Sequence, residues 1–161
     1  DQLRSDIVQF RMGDSAVTPV VVSPLDDIEP ALSPDGKWLA YVSAISGANE
    51  VYVRPYPQSG TSTRVSERGG MDPAWSHDGR ELFYRSGSRI MSVARHVSST
   101  SATFGAPQIL FSGAFDFSQE QNWAPSPDGS FVMVMGDPTI GRQLRVVFNW
   151  FDKLTAQSPS R

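Results

Sequence analysis

The hexapeptide Ala31-Leu32-Ser33-Pro34-Asp35-Gly36 returns as Ala74-Trp75-Ser76-His77-Asp78-Gly79 and again as Ala124-Pro125-Ser126-Pro127-Asp128-Gly129. The copies stand 43 and then 50 residues apart. Each is followed by a short apolar run, at Trp38–Val42, Leu82–Tyr84 and Phe131–Met135. A second strand-like run comes next, at Glu50–Arg54, Arg89–Val93 and Gln143–Phe148. A third follows at Thr63–Ser66 and Gln108–Phe111. Asp-Gly between two such runs predicts a hairpin, because Gly accepts positive φ and Asp hydrogen-bonds its own backbone. The runs after the turns are apolar on consecutive residues, which predicts strands buried on both faces. Tandem units of about 40–50 residues, each with about four short strands, are the pattern of propeller blades.

The N-terminus fits the same scheme out of phase. Asp6–Phe10 reads as the third strand of a blade, Gly13-Asp14 as a turn and Thr18–Ser23 as a fourth strand. The expected fold is all-β, a single propeller segment over residues 1–161 with about three and a half four-stranded antiparallel blades. The blades are expected near 1–25 (partial), 26–68, 69–112 and 121–150, the last without its outer strand, with a tail at 151–161. Ser98–Ala106 and Gly113–Glu120 read as connecting loops, and Asn149–Leu154 as a short terminal helix.

The Ser-Pro-Asp-Gly units, with Glu29-Pro30 and Asp72-Pro73 ahead of them, resemble the Pro-Asp, WD-like repeats of TolB-type propellers. The resemblance covers nearly the whole chain. Glu50–Pro57, Gly79–Arg85 and Val146–Phe151 resemble more particularly the C-terminal propeller behind bacterial eukaryotic-like serine/threonine kinases and related sensors. That resemblance implies a sensor propeller of a signalling protein in a periplasmic or extracytoplasmic setting. The chain departs from the repeat pattern at His77 and at Trp123, where Pro is usual. Neither change disturbs the strand-turn-strand reading.

Composition narrows the function classes. The 161 residues carry a net charge of −3 and a pI near 5.3, so no basic field draws the protein to nucleic acid. No apolar stretch approaches the ~18 residues of a spanning helix, so membrane insertion of this segment is not expected. Without cysteine there is no disulfide framework, thiolate metal site or thiol nucleophile. Thirteen glycines and twelve prolines suit a turn-rich β chain. The chain begins at Asp1 with no charged n-region ahead of an apolar run, and reads as a mature or excised piece.

No nucleophile elbow, P-loop, H-E-x-x-H or G-x-G-x-x-G motif is present. Two histidines, His77 and His96, are too few for a three-histidine zinc site, and both read as solvated. No catalytic residue, metal or cofactor is therefore expected. Asp35, Asp78 and Asp128 sit beside Gly and read as turn formers.

One constellation stands out for binding. Glu29, Asp72 and Asn122 each lie two residues before a repeat Ala, and equivalent first-strand positions converge near one mouth of a propeller channel. Two carboxylates and an amide there suit a cation or an amine-bearing ligand. The other reading, preferred on the residues alone, is that they tie adjacent blades together through backbone amides. The aromatic set Tyr52, Tyr56, Tyr84, Trp75 and Trp123 reads mainly as inter-blade core, with one or two at a contact surface.

The functional expectation is a non-catalytic module that binds a protein, peptide or envelope ligand. The alternative is the propeller of a prolyl-oligopeptidase-type hydrolase, which calls for a linker into an α/β domain. The close at Trp150–Leu154 and a polar tail favours the first. Self-association is also expected: two copies close a ring, with the orphan N-terminal strand of one completing the last blade of the other. Closure within one chain as a four-bladed ring is the competing arrangement.

Overall fold

In the computed structural model, residues 4–97, 102–116, 122–135 and 143–147 are described. They form fourteen strands and no helix, in four antiparallel sheets. The first sheet pairs β1 (Ile7–Phe10) with β2 (Val17–Val21). The second runs β3 (Asp27–Leu32), β4 (Trp38–Ser43), β5 (Glu50–Pro55), β6 (Thr63–Arg64). The third holds β7 (Met71–Trp75), β8 (Glu81–Ser86), β9 (Arg89–Val97), β10 (Ala102–Phe104) and β11 (Gln108–Ser112). The fourth holds β12 (Trp123–Pro125), β13 (Phe131–Met135) and β14 (Gln143–Val147). This is the meander of a partial propeller.

The consecutive apolar runs are explained by packing on both faces. From β4, Leu39 and Tyr41 join Ile7 and Val21 in a core between the first and second sheets. Ala40 and Val42 point the other way, into a core with Trp75, Leu82, Tyr84 and Val93 of the third sheet. Phe83 of β8 reverses again, toward Trp123, Phe131 and Met133 of the fourth. Its ring meets Phe131 edge-on at 5.0 Å, the geometry aromatic quadrupoles favour. β4 and β8 thus each serve two cores, and each fully buried large side chain contributes about 1.5–3 kcal/mol. The aromatic set lies where that predicts: Tyr52, Trp75, Tyr84 and Trp123 are buried, and Tyr56 is half-buried.

The Asp-Gly turns form as expected. Gly36, Gly79 and Gly129 have φ of 65°, 68° and 81°. In the first turn Ser33 Oγ donates to Asp35 Oδ1 at 2.5 Å, Asp35 Oδ1 accepts from the Lys37 amide, and Ser33 Oγ accepts from the Trp38 amide. Ser76 and Asp78 repeat all three bonds with Arg80 and Glu81. The third turn closes one residue earlier, with the Ser126 amide donating to the Ser130 carbonyl.

One stretch read as loop is not. Within residues 98–106, Ala102–Phe104 is strand β10, paired with the outer end of β9. The reason is that β9 runs nine residues, and its far half needs a hydrogen-bonding neighbour. Phe104 then anchors the strand, lying edge-on to Trp38 at 5.9 Å and tilted against Trp75 at 6.4 Å. The expected helix at 149–154 and the tail lie outside the described residues.

Candidate functional site

The inner strands β3 and β7 share an interruption. Their pairing with β4 and β8 slips between Ile28 and Ala31 and between Met71 and Ala74. Glu29-Pro30 and Asp72-Pro73 occupy the slips, and Glu29 and Asp72 each have φ of 53°. A non-glycine residue in the left-handed region costs about 1–3 kcal/mol, and a following proline adds to the crowding.

The surroundings compensate. Glu29 Oε2 accepts the Asp72 amide at 2.6 Å, a bond from the second sheet to the third. Asp72 Oδ2 accepts Arg85 Nε at 2.5 Å, with the side chains only 3% and 18% exposed. Asn122 stands just before β12, and its Nδ2 donates to the Asp116 carbonyl at 3.0 Å. The structure therefore brings Glu29 and Asp72 into one chain of bonds with Arg85. It ties Asn122 to the segment leading into its own sheet. Arg85 escaped the sequence reading; the available signal was an arginine directly after the apolar Leu82–Tyr84, where a buried charge needs a partner.

Glu29 and Asp72 border a cavity of about 930 Å³ whose wall includes Pro30, Leu32, Pro73 and Pro125. Asn122 is not on that wall. Prolines supply no N–H, so the polar chemistry of this side falls to the carboxylates together with Ser76 and His77, which also line it. Leu32 adds an exposed apolar contact.

A second crevice of about 610 Å³ lies between the Asp78 and Asp128 turns, and both His77 and His96, each exposed, face it. Beside it runs a cationic strut that the sequence reading missed. Arg95 of β9, its side chain 6% exposed, donates from Nη2 to Asp35 Oδ2 at 3.0 Å. Its guanidinium lies 5.4 Å from the centre of the Trp75 ring, and Trp75 Nε1 donates to the Ala31 carbonyl. Partial burial pushes the Asp35 carboxyl up, but the Ser33 hydroxyl, Arg95 and the Lys37 amide outweigh it and hold the group at about 2. Among the described residues, no three His, Asp or Glu side chains gather as a metal site would require.

No protein-family model matches this chain, and no curated protein does. Solved structures do. A protein described as TolB from Agrobacterium tumefaciens superposes with a TM-score of 0.66 at 21% identity, over 89% of this chain and 53% of that one. TolB from Acinetobacter baumannii is more distant, with a TM-score of 0.43 at 17% identity over 82% and 43% of the two chains. The tricorn protease gives 0.39 at 10% identity over 81% and 16%. The chain thus spans about half the length of the Agrobacterium protein. Its fold is that of a TolB-type β-propeller.

Proposed function

We propose that this chain, a partial TolB-type propeller, is a non-catalytic binding module for a protein or peptide that presents a basic group beside Glu29 and Asp72. The observation that carries the reading is the 930 Å³ cavity on the inner strands, with carboxylates set among prolines. Recognition of a cation by a carboxylate there is a charge-assisted contact in a partly dry site, stronger than its equivalent in open water. Asp72 is ion-paired with Arg85, so the test addresses the Glu29 carboxylate. A sensor role within a larger signalling protein, in an extracytoplasmic compartment, is the setting we propose. Its support is the likeness of Glu50–Pro57, Gly79–Arg85 and Val146–Phe151 to kinase-associated propellers.

The test is calorimetric titration of the full chain with a panel of short peptides, basic, acidic and neutral. The best binder is then repeated on Glu29→Gln, which keeps the hydrogen-bond acceptor but loses the charge. Basic peptides are expected to bind selectively, and Glu29→Gln to weaken them about tenfold. Equal binding of acidic peptides, or none by any peptide, overturns the ligand class. Turnover of a peptide, ester or glycoside by the isolated chain overturns the non-catalytic reading.

A further inference from the structure

The crevice between the Asp78 and Asp128 turns has a counterpart one sheet earlier, and that counterpart is filled. Asp35-Gly36-Lys37-Trp38 and Asp78-Gly79-Arg80-Glu81 are the same turn in consecutive sheets. Trp38 and Glu81 each donate their amide to the serine hydroxyl of the turn, and each carbonyl accepts the serine amide. In the second sheet Trp38 stands opposite Pro55, and its ring closes against Phe104 of the third sheet. In the third sheet the same two places hold Glu81 and Ala94. A carboxylate and a methyl group stand where the indole and the proline stood, and the cavity of about 610 Å³ opens beside them.

Strand alternation fixes what faces this space. Glu81 and Phe83 share one face of β8, the face that meets Phe131 of the fourth sheet. Ser92 and Ala94 pair with Phe83 and Glu81, and His96 follows on the same face of β9. The floor is therefore apolar, built from Phe83, Phe131 and Ala94. Glu81 stands at its edge, half-buried. Its Oε1 accepts the Ser92 hydroxyl at 3.0 Å, and its Oε2 has no partner among the described residues. Burial pushes this carboxyl up, the Ser92 bond offsets part of the rise, and the nearby Asp78 charge adds to it. The Asp78 and Asp128 carboxylates are tied into their own turns and keep the mouth negative. Arg95 is engaged by Asp35, and the exposed Arg80 lies by Asp78 at 3.7 Å.

We propose that this crevice is a binding site for a small organic cation, an ammonium on a flat apolar body, with Glu81 as the charged anchor. The body lies on Phe83, Phe131 and Ala94, and the ammonium donates to Glu81 Oε2. A charge-assisted bond made against an apolar wall is stronger than one in open water. The volume is that of a small-molecule pocket, mostly apolar with a few converging polar groups. The crevice shares Ser76 and His77 with the cavity beside Glu29, but Glu81 and Ala94 belong to the crevice alone. It stands or falls separately from the ligand reading above.

The probe is phenethylamine, titrated into the full chain and followed by amide chemical shifts. Phenethyl alcohol, the same body without the charge, and phenylacetate, with the opposite charge, are the controls. The amine is expected to shift the amides of Glu81, Ala94 and His96, and both controls to bind at least ~10-fold more weakly. Glu81→Gln keeps the acceptor for Ser92 and is expected to weaken the amine about tenfold. Ala94→Leu keeps the carboxylate but fills the floor, and is expected to abolish binding while the Phe83 and Phe131 amides stay protected from exchange. No shift at the three amides, equal binding of phenethyl alcohol, or binding that neither variant weakens overturns the proposal. Shifts confined to Glu29 and Asp72 also overturn it, because the amine then sits in the other cavity. So does contact of the chain's own residues beyond Val147 with the Ala94 methyl in the free protein, because the crevice is then already filled.

Discussion

Gly36 and Gly79 have nearly the same φ, yet their surroundings differ, and that difference is testable. A Cβ on Gly36 meets nothing within 4 Å, while one on Gly79 comes within 3.3 Å of Arg95 Nη2 and of Pro34 Cδ. Gly36→Val is expected to cost about 1–3 kcal/mol from backbone strain alone. Gly79→Val is expected to cost more, because it also disturbs the Arg95–Asp35 contact; Tm measurements on the two variants check the order. Asp35 carries the second prediction at this scale. Its carboxyl is depressed from 3.8 to about 2 in the folded chain, so its contribution is complete above pH 3.8 and fades as pH falls toward 2. Chemical denaturation between pH 5 and 2 is expected to show a steeper loss for the native chain than for Asp35→Asn. The group is largely exposed, so the effect is small. The turn role of the three aspartates was legible from Asp-Gly alone. The reach of Arg95 was not, because its partner lies sixty residues away on the turn of another sheet.

At the level of elements, the blade ties are the feature to probe. Glu29→Ala removes the acceptor for the Asp72 amide and leaves a half-buried donor unmet, an expected loss of about 1–3 kcal/mol. Glu29→Gln keeps an acceptor at the same reach and is expected to recover most of it in denaturant titrations. Strand order was readable because each apolar run follows its Asp-Gly turn within two or three residues. The inner-strand slips were not readable, since a residue before proline is normally extended and nothing in Glu29-Pro30 or Asp72-Pro73 announces a left-handed backbone. Likewise β10 was hidden, because Ala-Thr-Phe is too short to show a period.

Across the whole molecule, the buried apolar cores lie between neighbouring sheets. Phe104 is the clearest case: it comes from the third sheet yet sits between Trp38 and Trp75. Phe104→Ala is expected to cost about 3 kcal/mol and to lower Tm while far-UV circular dichroism remains that of a β protein. Loss of β signal at 25 °C would mean that the sheets do not hold their form without this contact. The four-sheet architecture could be read from the repeat, because packing on both faces writes itself into consecutive apolar residues. The functional side was only half visible: two carboxylates at one repeat position marked the cavity wall, but the arginine that neutralises one of them came from a neighbouring strand.

The Asp-Gly turns also bear on how this protein ages. In a flexible chain such a bond is a weak point: the glycine amide attacks the aspartyl side chain, closes a succinimide and reopens as isoaspartate, with an extra carbon in the backbone. Here the Gly36, Gly79 and Gly129 amides are held by the carbonyls of Ser33, Ser76 and Ser126 at 2.8, 2.9 and 3.1 Å. Weeks at 37 °C should leave isoaspartate undetectable at these sites in the folded protein, while the urea-unfolded chain accumulates it, as peptide mapping would read. The bonds that set the blade turns would then also govern its shelf life.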